Sequence, residues 1–122
     1  IGFRQVEETH LMENLIYNEL RIRGYLVDVG VVPTRVREPE GAYRRSQLEV
    51  DFVCNRGSER VYVQSAYRLP TEEKRKQEMA SLLKIDDSFR KIIITEDLVK
   101  RHMDENGVEW VNVYDFLKSE DL

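Results

Sequence analysis

The run Lys91-Ile92-Ile93-Ile94-Thr95 constrains the architecture of this chain more than any other segment. Three consecutive β-branched apolar residues favour a strand, and a short strand without a polar side is the pattern of one buried on both faces. Around it the apolar spacing changes period. Leu11, Met12, Leu15, Ile16 and Leu20 form a helical stripe, with Glu7 and Glu8 expected in the first turn and Gly24 as the stop. Tyr25 to Val32 reads as a strand. Gln47 to Cys54 and Arg60 to Tyr67 read as two more, joined by the turn Asn55-Arg56-Gly57-Ser58 into an antiparallel hairpin. Thr71 is an N-cap with Glu72 and Glu73 behind it, opening a helix to about Leu83 with Met79, Leu82 and Leu83 turned inward. Glu96 to Glu105 is polar and is expected to carry a helical turn. Asn106-Gly107 marks a turn before a last strand, Val108 to Val113, and a short helix over Tyr114 to Leu117.

The order α-β-β-β-α-β-β-α implies an α/β fold, a sheet with helices in two or three layers. At 122 residues the chain is one domain. Hydrophobic residues make up 41% and charged residues 34%, which excludes an extended disordered chain. The net charge of −4 weighs against unaided nucleic-acid binding, which depends on neutralising phosphates. One segment runs against that balance. Arg35, Arg37, Arg44 and Arg45 crowd the stretch from Pro33 to Ser46, read here as a loop or exposed hairpin tip. Their bland reading, a solvated mobile loop, is preferred to a phosphate contact.

Cys54 is the sole cysteine, so no internal disulfide can form, and its place in an apolar run makes it a buried filler. His10 and His102 lack the company a zinc site needs. No apolar stretch approaches the roughly 20 residues of a membrane span, and no signal-peptide pattern is present. The start at Ile1, without methionine, suggests a piece excised from a longer protein.

The chemistry concentrates in the hairpin. By strand alternation Glu49 and Asp51 share one face, and Gln64 and Ala66 share one face of the neighbouring strand. Two carboxylates beside an acid-x-lysine strand would make a magnesium-dependent nuclease site, but the acid position is Gln64 and the lysine position Ala66. Glu13, beside the apolar stripe of the first helix, is a further candidate metal ligand. Its bland alternative is an ion pair with Arg21 or Arg68.

Leu11 to Leu20, Arg23-Gly24-Tyr25, Glu49 to Val53, Tyr62 to Tyr67, Leu82 to Asp87 and Val111 to Leu117 together resemble a domain of unknown function found at the C-terminus of bacterial and archaeal AAA-type ATPases. The resemblance covers nearly the whole chain. It implies a restriction-endonuclease-like, PD-(D/E)XK fold, in which a helix-one glutamate, a strand aspartate and an acid-x-lysine strand build a magnesium site. Glu13 and Asp51 match by position. Gln64 keeps the ligand position as an amide, Ala66 departs at the lysine, and Lys74 on the next helix is the nearest migrated candidate. The expected metal ligands are thus Glu13, Asp51 and Glu49, and the expected vestigial site is Glu13, Asp51, Gln64 and Ala66. The resemblance also implies a cytoplasmic location and an ATPase domain in the same longer chain. No G-x-x-x-x-G-K-[ST] motif occurs here, so ATP hydrolysis would belong to that partner. Three readings follow: a non-catalytic module binding nucleic acid or protein, an active nuclease with a migrated lysine, or a structural domain whose acids merely face solvent.

Overall fold

The computed structural model describes residues 2–120 and residue 122. Among these residues nine elements follow one another: α1 (Phe3–Ile22), β1 (Leu26–Arg37), β2 (Tyr43–Arg56), β3 (Glu59–Ala66), α2 (Glu72–Leu83), β4 (Arg90–Thr95), β5 (His102–Met103), β6 (Val108–Asn112) and α3 (Val113–Lys118). The strands form one mixed sheet in the order β1-β2-β3-β4-β6-β5. β3, β4 and β6 run parallel, and the flanking pairs are antiparallel.

The isoleucine run of β4 sits where its composition requires. Ile92 and Ile94 enter one core with Met12, Ile16 and Leu20 of α1 and Phe116 of α3. Ile93 enters a second core on the opposite face, with Leu82 of α2, Ile85 and Trp110. The molecule is therefore three layers, α1 and α3 on one face of the sheet and α2 on the other.

Local chemistry sets the element ends. Thr71 Oγ1 accepts from the Lys74 N–H and caps α2, and Asn112 Oδ1 accepts from Tyr114 and Asp115 to open α3. Gly24, at φ +90°, ends α1 in a conformation that favours glycine.

Four expectations are corrected. Helix α1 starts at Phe3, so Glu7 and Glu8 lie beyond its first turn. Leu83 is 41% exposed, because Met79 and Leu82 occupy the inner face of α2 and Leu83 turns about 100° away from Leu82. The polar stretch after β4 carries the two-residue strand β5 on the sheet edge, paired to Trp110 and Glu109. Most of the arginine-rich segment is strand: β1 and β2 stay paired out to Arg37 and Tyr43, leaving a short turn at 38–42. Pro33 is compatible with this because β1 is an edge strand, where a missing N–H breaks no central ladder.

Candidate functional site

The site grows from a fork between β2 and β3. Their ladder runs from Arg56↔Glu59 to Phe52↔Val63 and stops there. Next in line, side-chain bonds from Asp51 to Gln64 and to Ser65 take its place. The Asp51 N–H donates to Gln64 Oε1 at 3.1 Å, and the Ser65 N–H donates to Asp51 Oδ2 at 2.8 Å. Beyond this point β3 continues against β4 through Ala66↔Thr95, while β2 turns away with β1.

Two helices bring acids toward the fork from opposite faces. From the α2 side, Glu78 Oε2 lies 3.5 Å from Gln64 Nε2, which donates to it. From the α1 side comes Glu13, half-buried, whose Oε2 is 3.7 Å from His10 Nδ1. Burial pushes the Asp51 carboxyl up to about 6, the Ser65 N–H pulls it down, and the charges of Glu13 and Glu78 push it up again. Both charges that act on Asp51 are negative. Burial likewise raises Glu78, against the Gln64 amide and the Lys74 charge. Lys74 thus acts on Glu78, on its own helix.

Glu13, Asp51 and Gln64 are therefore brought to one neighbourhood, and Glu49 is not. The register of β1 and β2 shifts between Asp28↔Val53 and Gly30↔Val50, a bulge that leaves an extra residue on β2. Val50 consequently packs in the α2-side core while Phe52 packs in the α1-side core. The expected alternation fails at that point, and Glu49 lies exposed opposite Val31. Glu13 pairs with neither Arg21, which covers the Tyr17 ring, nor Arg68, which pairs with Glu96. Ala66 is 6% exposed inside the α2-side core, a wall and not a site group.

No known family model matches the chain. It resembles a longer protein. Over 117 residues it is 31% identical to an uncharacterized protein of Haemophilus influenzae, a match that takes in 96% of this chain and 25% of that protein. The chain thus spans about a quarter of the length of the curated relative it matches. No helix among the described residues is long and apolar enough to cross a membrane.

The donor set does not fit a metal ion held by protein carboxylates. Among the described residues no three His, Cys, Asp or Glu side chains lie close enough to share one. Gln64 is also committed at both ends of its amide, so its Oε1 could turn to a ligand only by leaving the Asp51 N–H buried without a partner. Cys54 is fully buried, and burial together with the Asp28 charge pushes its thiol up to about 12, which rules it out as a nucleophile at neutral pH.

Glu78 is the site residue that sequence reasoning missed. Its signal was present. It stands four residues before Leu82 and one before Met79, an acid on the apolar stripe of α2.

Proposed function

We propose that this domain is a non-catalytic module of the restriction-endonuclease-like class, serving as an accessory binding unit of a larger AAA-type ATPase. The observation that carries the reading is the Asp51 N–H to Gln64 bond at the fork. The position that would hold a metal-binding acid is an amide locked between Asp51 and Glu78. The position that would hold the lysine is a buried alanine. An alanine donates no proton, and an amide brings no charge to a cation. Loss of both groups removes the transition-state stabilisation that phosphodiester cleavage needs. The ATPase partner is inferred from the resemblance in Leu11–Leu20, Glu49–Val53 and Val111–Leu117, and the match to one quarter of a longer protein agrees with a domain that works as part of a larger chain.

A second reading, a magnesium-dependent nuclease using Lys74, follows from the resemblance alone; among the described residues the donor set gives it no support. Incubating supercoiled plasmid with the protein and Mg²⁺ or Mn²⁺ separates the two. The expected result is plasmid that stays intact. Nicking that disappears in Asp51→Ala and in Lys74→Ala would establish the second reading and end the first.

A further inference from the structure

The distal halves of β1 and β2 form a two-stranded ribbon without a third strand. They pair from Gly30↔Val50 to Arg37↔Tyr43, whereas β2 meets β3 only from Phe52 onward. At about 3.3 Å per residue the ribbon extends roughly 25 Å beyond the six-stranded body. Its two faces differ. Residues directly opposite one another share a face, so Val32 with Leu48 and Thr34 with Ser46 make the inner one, and Val32 and Leu48 join the α2-side core. The outer face carries Val31 opposite Glu49 nearest the body, then Pro33 opposite Gln47, Arg35 opposite Arg45, and Arg37 opposite Tyr43, so its one acid lies at the end away from the arginines.

The outer face is electrostatically unusual. Like charges directly opposite across an antiparallel pair repel, and Arg35 and Arg45 occupy such a pair with Arg37 one step along. Arg44 belongs to the inner face and is neutralised by Glu38, at 2.6 Å. Among the described residues Arg35, Arg37 and Arg45 have no ion pair, although the chain as a whole is acidic. Tyr43 stands beside them 66% exposed. The open groove of about 870 Å³ beside the ribbon is lined by Thr34 and Ser46 as well as Arg35 and Arg45 and reaches Asp86 on the α2 side, so it wraps the ribbon onto its inner face and is not a groove of the outer face.

We propose that the outer face of the β1–β2 ribbon is a binding site for the sugar–phosphate backbone of nucleic acid. Guanidinium groups pair bidentately with phosphate, so an anion lying along the ribbon converts the Arg35–Arg45 repulsion into binding. Tyr43 offers a ring on which a base can stack, and a two-stranded ribbon is narrow enough to enter a duplex major groove. Spaced phosphates explain three guanidiniums in a row where one carboxylate would explain one. The site uses no residue of the Asp51 fork, so it stands whether or not that fork supports cleavage.

Fluorescence anisotropy tests it with a labelled mixed-sequence oligonucleotide, offered as a single strand and as a duplex. Expected is binding of at least one form by the 122-residue chain, weakening steeply between about 50 and 200 mM salt. The Arg35→Ala/Arg45→Ala variant should bind at least about tenfold more weakly with a salt slope shallower by about two, while Lys118→Ala on α3 behaves like the parent. Arg35→Lys/Arg45→Lys, which keeps the charge, should retain most of the affinity, and far-UV circular dichroism should show all variants folded. The proposal is overturned if neither form binds, or if the double alanine variant binds as the parent does. It is also overturned if poly-glutamate of equal charge competes as well as DNA, since the face would then belong to an acidic protein partner.

Discussion

Asp51 reaches its raised pKa because three influences coincide on one carboxylate: burial, Glu13 from one side and Glu78 from the other. The consequence for stability has a definite sign. The folded chain binds this proton up to about pH 6, whereas the unfolded side chain releases it near 3.8. Below 3.8 the carboxyl is protonated in both states and its full contribution is present. As pH rises through 6 that contribution is lost, at a cost to the fold on the order of 3 kcal/mol. Asp51→Asn removes the titration and keeps an oxygen to accept the Ser65 N–H. In urea melts the variant should be the more stable protein at about pH 7.5, by as much as about 3 kcal/mol, and the gap should close near pH 4. A difference that does not change with pH would mean that Asp51 titrates alike in the folded and unfolded chain. The sequence offered Asp51 as one of three candidate acids, with Glu49 through strand alternation and with Glu13 through the resemblance. It showed Glu78 as an acid on the apolar stripe of α2 but not its approach to Gln64, because that contact forms only when the β3–β4 crossover folds back over the sheet.

Among the elements, those with one clear period were legible and those with conflicting signals were not. Helix α2 announces its start through Thr71, Glu72 and Glu73, and β4 through its isoleucines. Thr71→Ala should cost about 1 kcal/mol in urea denaturation, the usual worth of an N-cap. The ribbon was legible only as a loop or exposed hairpin tip, because Pro33, Pro39, Gly41 and the arginines are ordinary loop residues, and edge pairing overrides that composition over most of its length. The bulge that separates Glu49 from Asp51 was hidden for another reason: nothing in either strand's own alternation betrays a register shift that only the pairing creates. Gly30 is its trace. A Cβ built there would lie 2.4 Å from Val53 Cγ2 and 3.2 Å from the Val50 carbonyl oxygen. Val53 is β-branched and has little freedom to move aside. Gly30→Ala should therefore destabilise the fold by about 1–3 kcal/mol, the range for overpacking. If the bulge gives way instead, amide exchange in β1 and β2 will rise on both sides of residue 30, while β4 stays protected.

At the scale of the whole molecule, one sheet serves two cores that never touch except through it. Ile16 of α1 lies fully buried in one, and Leu82 of α2 lies 1% exposed in the other. The sheet lies between these side chains, and the axes of α1 and α2 are about 20 Å apart, two layers near 10 Å each. Ile16→Val should cost about 0.5–1.5 kcal/mol and Leu82→Ala about 2–5 kcal/mol, the ranges for methylene and side-chain deletion in packed interiors. Their effects should add to within about 0.5 kcal/mol in the double variant, since neither cavity shares a wall with the other. Yet unfolding should remain a single transition, because the same three residues of β4 face both cores: Ile92 and Ile94 on one side, Ile93 on the other. Neither core can open while that strand holds its neighbours β3 and β6. Additive energies with one coincident melt by tryptophan fluorescence, which reports the α2 side through Trp110, and by far-UV circular dichroism would bear this out. Two separated transitions in Leu82→Ala would show instead that the α2 layer can detach, and the Gln64–Glu78 contact at the fork would then be lost before the sheet itself unfolds.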